Sequence, residues 1–155
     1  MTDTSRQLAA ILAGCGVCAL AAGLADAQPK QPEFVHKWSG KRDNRELLKL
    51  APPAKYTVSA ETFDRLWKEW NLGDQGDKKP DIDFTKHLVI VVVTNGPNTI
   101  KPGLKLDEKQ NLTINAATTL VADDGKTFGF FVGVISREGI EAVNGLPLPK
   151  ATEKK

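Results

Sequence analysis

Leu88-Val89-Ile90-Val91-Val92-Val93 is a continuous aliphatic run, β-branched after its first residue and stopped by Asn95-Gly96-Pro97. Such a run, with no polar alternation, predicts a strand covered on both faces. It belongs in the middle of a sheet, so the rest of the chain must supply its neighbours and its cover.

The cover is expected from a helix beginning near Ser59. Ser59 is an N-cap residue, Glu61 falls in the first turn, and Gly73 lies past the end. Phe63, Leu66, Trp67 and Trp70 recur at helical spacing and form an apolar stripe. A stripe of large side chains reads as the face packed on the sheet, with a ligand platform as the alternative.

Further strands are expected on either side. Phe34 to Gly40 alternates, with Phe34, His36 and Trp38 on one face. Arg45 to Leu50 reads as a helical turn or a strand, ended by Pro52-Pro53. Leu104 to Leu106 and Leu112 to Ile114 form a hairpin about Asp107 to Asn111. Thr127 to Ile135 is a strand in which Gly129 and Gly133 mark a bulge or a close backbone approach. Ile140 to Leu148 adds an edge strand interrupted at Asn144-Gly145. Consecutive strands with one good helix predict an α+β fold: a mainly antiparallel sheet of about five strands with one principal helix on a face.

The N-terminal stretch has a different character. Arg6 precedes an uncharged segment from Leu8 to Ala25, and Ala25-Asp26-Ala27 follows as a cleavage site. This layout predicts a secretory signal peptide at 1–27, a tether at 28–33, a single domain at 34–148 and a charged tail at 149–155. The segment is rich in Ala and Gly, which disfavours a retained membrane anchor. Leu12-Ala13-Gly14-Cys15 resembles a lipoprotein signal, and lipidation at Cys15 is the alternative route to a membrane. Cys15 and Cys18 are the only cysteines. Cleavage after Ala27 therefore leaves neither disulfide nor thiolate chemistry. Lys and Arg number 21 against 19 Asp and Glu, a balance with no strong nucleic-acid or acidic-partner footprint.

Local motifs for chemistry are few. His36 and His87 have no Cys or second His nearby, so each reads as structural or surface-exposed. Ser39, Ser59 and Ser136 lie outside any G-x-S-x-G elbow. Gly125-Lys126-Thr127 resembles the end of a phosphate loop, but position 120 is Leu and a strand follows. Asp74, Asp77, Asp81 and Asp83 crowd one loop; with Lys78 and Lys79 among them they read as a solvated loop rather than a calcium site. Asn111-Leu112-Thr113 is a formal glycosylation sequon. No catalytic, cofactor-binding or metal-binding residue is assigned.

Pro80-Asp81-Ile82-Asp83-Phe84, followed by the Leu88 to Val93 run and Gly96, resembles the PrcB-like C-terminal domain family. Its members share an aromatic-bearing helix, a P-x-[VI]-D-F step, a hydrophobic strand and a glycine turn; here the helix is Phe63 to Trp70. The resemblance spans roughly residues 56–135. It departs from the family between Pro97 and Leu104, where a G-G-Y-type segment is reduced to Gly103. It implies a small exported domain associated with protease complexes or envelope proteins; it does not imply a catalytic site. Asp83 is expected to cap backbone N–H groups or pair with a lysine, and Phe84 to enter the core.

Two classes of function follow. The first is an exported, non-catalytic domain that binds or stabilises a protein or envelope component, through a sheet edge or the Gly73 to Lys79 loop. The second is a small exported hydrolase or ligand-binding enzyme with a dispersed site, marked by a cleft that gathers His36 or His87 with carboxylates.

Overall fold

The computed structural model describes residues 31–74 and 76–150. The expected signal peptide with Cys15 and Cys18, residues 28–30 of the tether, and the tail from 151 lie outside them.

Strand β1 (Phe34–Arg42) leads through a 3₁₀ helix (Arg45–Leu50) to β2 (Tyr56–Thr57) and helix α1 (Ala60–Glu69). There follow β3 (His87–Asn95), β4 (Ile100–Leu106), β5 (Asn111–Thr118), β6 (Phe128–Ser136), β7 (Ala142–Val143) and β8 (Leu146–Pro147). These form two four-stranded sheets, ordered β1-β6-β3-β2 and β4-β5-β7-β8. The α+β class holds in outline, but one sheet of about five strands does not. The β4–β5 hairpin starts a second sheet. Sequence alternation shows that these strands bury one face; it does not show whether they extend the first sheet or lie across it.

The two-sided burial expected of β3 is met by two cores. On one face Val89 and Val91 cluster with Phe63, Leu66 and Trp70 of α1 and with Phe128, Phe130 and Val132 of β6. On the other, Leu88, Ile90 and Val92 cluster with Leu112, Ile114 and Val143 of the second sheet and Phe131 of β6. The order is helix, sheet, sheet. Each aliphatic side chain fully buried this way contributes about 1.5–3 kcal/mol.

Helix α1 starts as its sequence dictates. The Ser59 hydroxyl accepts from Thr62 N–H at 3.3 Å. Its stripe is not uniformly buried. Phe63, Leu66 and Trp70 are buried, whereas Trp67 is half-exposed and meets Trp38 edge-on at 5.2 Å. Trp70 is enclosed by Phe128 and Phe130, each 5.4 Å away, and its indole N–H donates to Leu47 O at 3.0 Å. That bond docks the 3₁₀ helix onto α1. At the C-terminal end, Arg42 Nη2 donates to Asn71 O at 2.7 Å and pairs with Asp74 at 2.7 Å. A cation there satisfies carbonyls that the helix leaves open.

Two local expectations change, and a third is decided between its alternatives. Phe34, His36 and Trp38 do not share a face. A register shift between Phe34 and His36 makes a bulge at Val35. Phe34 turns to Phe131 in the sheet–sheet core, while Trp38 turns to Phe63 and Trp67. The Ile140 to Leu148 segment is a small hairpin, not one edge strand. Asn144 and Gly145 have φ of 50° and 79°, as a tight primed turn needs, and β7 pairs parallel with β5. Gly129 and Gly133 mark close approaches. A Cβ on Gly129 would lie 2.0 Å from Asn98 O, and one on Gly133 would lie 2.5 Å from the Phe34 ring.

Trp70→Ala should cost on the order of 3–5 kcal/mol, since a fully buried ring and its indole bond are both lost. Trp67→Ala should cost clearly less. Urea denaturation midpoints check this ordering, and equal losses would contradict the burial difference.

Candidate functional site

The side chains singled out in the sequence do not share one centre. His36 is exposed on β1 and stacks on Trp38, with centroids 5.8 Å apart. His87 begins β3 opposite Ser136 of β6, and its Nδ1 lies 3.1 Å from Asp83 O. His87, Ser136, Arg137 and Glu138 line a shallow depression of about 410 Å³. Ser39 is exposed on β1 and Ser59 is the helix cap. Asp74 is held by Arg42, and Asp83 by Thr85 N–H at 2.9 Å and by Lys86 at 3.5 Å. Among the described residues, no group of three or more His, Cys, Asp and Glu could hold a metal ion. The Asn111 carboxamide of the sequon accepts from Gly145 N–H at 2.8 Å and helps hold the β7–β8 turn.

The Gly125-Lys126-Thr127 turn carries its own anion. Asp124 Oδ1 accepts from Lys126 N–H at 2.9 Å and Thr127 N–H at 2.7 Å, and the Thr127 hydroxyl donates to Oδ2. Asp123 Oδ1 accepts from Gly125 N–H at 2.9 Å. The backbone donors that a phosphate would need are already spent on these carboxylates. Asp83 does similar work before β3, capping Thr85 while Phe84 packs against the helix-side core. A cleft of about 590 Å³ opens beside this turn, between Pro80–Thr85 and the start of α1. Phe63, Ile82 and Phe84 line it, and the Lys79–Asp64 pair, 2.9 Å apart, lies at its side.

The sheet edges give the clearest candidate surface. An edge strand exposes unpaired N–H and C=O groups unless something blunts it. Among the described residues the outermost strands are β1 and β2 in the first sheet and β4 and β8 in the second, with β2 covering only Val89 and Ile90 of β3 and β7 only Asn111 and Leu112 of β5. Strands β2 and β8 have two residues each. Strand β4 carries Pro102, which lacks an N–H, and its Leu106 is already paired from outside. There Gln31 Nε2 donates to Leu106 O at 3.2 Å, and Gln31 Oε1 accepts from Leu106 N–H at 2.9 Å. Strand β1 differs. It runs nine residues and, among the described residues, pairs with β6 alone. Among the described residues, one bond reaches its backbone from outside that pairing, Arg42 Nη1 to Lys41 O at 2.9 Å. Its exposed side chains are Val35, His36, Lys37, Ser39 and Lys41.

The anchored turn predicts an acid response. Asp124 is held at about 2, below the ordinary 3.8, first by the Thr127 hydroxyl and then by the Thr127 and Lys126 N–H groups. Asp83, through Thr85, and Asp107, through Asn111 N–H, are also lowered. A carboxylate depressed in the folded state stabilises fully above its unfolded value and loses that contribution as pH falls towards its folded one. The thermal midpoint should therefore fall between about pH 4 and pH 2. It should fall less steeply in Asp124→Asn. Parallel slopes for the two proteins would count against the anchored turn.

No family model, curated protein or solved structure matches this chain. No helix among the described residues is long and apolar enough to cross a membrane.

Proposed function

We propose that this chain is an exported, non-catalytic domain that binds another exported or envelope protein. The observation that carries the reading is the open β1 edge, nine residues long on a scaffold with a packed core on each side of its first sheet. A rigid sheet with one long free edge binds an extended segment by main-chain hydrogen bonds, with neighbouring side chains setting specificity. Support for export comes from the layout of residues 1–27, and support for a partner in the envelope comes from the PrcB-like resemblance around Pro80 to Phe84.

A second reading has one observation in its favour. His87 faces Ser136 across the β3–β6 pairing in a depression that also holds Glu138, and the Asp83 carbonyl orients one ring nitrogen. That placement suits a weak hydrolytic pair.

A pull-down from envelope extract separates the readings. Ser39→Pro removes a backbone donor from β1 and should lose the captured protein. His36→Ala, His87→Ala and replacement of the Asp74 to Lys79 loop by Gly and Ser should all retain it. Loss in the loop variant alone would move the contact to that loop. An ester- or peptide-hydrolysing turnover abolished by His87→Ala would favour the enzyme.

A further inference from the structure

Two rows of side chains flank the β1 edge. His36 and Trp38 stack on the helix side, while Lys37, Ser39 and Lys41 alternate with them and point to the other face. Lys37 pairs in register with Gly133 and Lys41 with Gly129, so neither faces a charged residue across β6. Neither lysine makes a salt bridge among the described residues, unlike Arg42, which is committed to Asp74 at 2.7 Å. Among the described residues, the β1 edge thus presents two cations outside any salt bridge, four residues apart, beside a row of backbone groups of which Lys41 O alone is bonded from outside the β6 pairing.

A second copy of this chain does not fit that edge. Joining two β1 strands antiparallel across a two-fold axis normal to the sheet puts Lys37 and Lys41 of both copies on one face. Four like charges would then share one face, with no Asp or Glu within β1 itself, and like charges set opposite each other destabilise a strand pair. A strand with carboxylates at alternate positions meets the opposite condition, because each carboxylate lies opposite or diagonal to a lysine at cross-strand distance. Its other row would lie beside the His36–Trp38 stack, which suits aromatic or β-branched side chains.

We infer that the β1 edge takes an extended segment of another protein that alternates acidic with β-branched or aromatic residues, added as a fifth strand to the first sheet. This rests on β1 as the contact edge, and it names the chemistry of the partner. The lysines repel a second copy and select an acidic one, so the same two charges supply the repulsive and the attractive parts of specificity.

The test uses the purified full chain and two synthetic peptides as long as β1, one alternating Val with Glu and one alternating Val with Lys. Binding is read from tryptophan fluorescence, with Trp38 beside the edge, at low and high salt. The Val–Glu peptide should bind about tenfold more tightly than the Val–Lys peptide, the ratio expected from opposite-charge against like-charge cross-strand pairs. The preference should shrink in high salt. Lys37→Glu with Lys41→Glu changes two exposed side chains and should reverse the preference, with an unchanged denaturation midpoint showing that the variant folds. Ser39→Pro should weaken both peptides.

Equal binding of the two peptides, or a Val–Glu preference that persists in the double charge reversal, overturns the acidic-strand inference. So does dimerisation of the wild-type chain seen by sedimentation. If the protein captured from extract is lost with Ser39→Pro but retained with the charge reversal, β1 remains a contact edge and only the acidic partner is rejected. If it survives Ser39→Pro as well, the contact-edge reading itself fails.

Discussion

The structure depends on one constraint, the burial of β3 on both faces. A strand of Leu, Val and Ile without polar alternation leaves no side for water, so a layer must lie above it and another below. Helix α1 and the 3₁₀ helix meet one face through Phe63, Leu66, Trp70 and Leu47. The β4–β5 hairpin and β7 meet the other through Ile114, Leu112 and Val143. Strand β6 has the same two-sided burial, for Phe128, Phe130 and Val132 lie in one core and Phe131 and Ile135 in the other. It therefore sits beside β3 in the centre of the sheet, and β1 and β2 take the outside.

The parts legible in the sequence are those set by local chemistry. The β3 run, the Ser59 cap, the β4–β5 hairpin and the Asp83 cap before β3 follow from neighbouring residue types; Gly129 and Gly133 signal a special position, but the atoms that approach them come from distant Asn98 and Phe34. The parts that were not legible are set by distant partners. An alternating strand buries one face whether it joins the first sheet or lies across it, so the second sheet left no local trace. The bulge at Val35 is equally silent. One extra residue changes which face Phe34 takes, and the decision lies in its pairing with Ile135 and its packing on Phe131. Trp67 and Trp70 occupy equivalent-looking places on the helical stripe, yet the 3₁₀ helix reaches only Trp70, through Leu47 O.

The candidate site was less legible still, because an edge is a property of strand order. Lys37, Ser39 and Lys41 read in sequence as the polar half of an alternating strand. They become an edge row only once β6 is known to pair with β1 on one side and β3 on the other. Pro102 was a partial signal, since proline in a strand points to an edge. The pairing of Gln31 with Leu106 joins residues 75 positions apart and carries no motif. The residues that did resemble motifs were absorbed into the scaffold: Asp124 fills the Gly125-Lys126-Thr127 turn, and Asn111 ties the β7–β8 turn.

Burial at the centre and exposure at the edge are linked. Because β3 and β6 are hydrophobic on both faces, an added strand beside either would need apolar side chains above and below. Strand β1 already stands at the limit of that core. Its helix-side row is only partly covered, by Trp67 against Trp38, and its other row is polar. A strand added beyond β1 meets aromatic surface on one face and lysines on the other, so an amphipathic segment suits it better than a wholly apolar one. The same gradient explains why β1 can carry Lys37 and Lys41 without loss to the fold. Their ammonium groups lie outside both cores, free to set which strands approach.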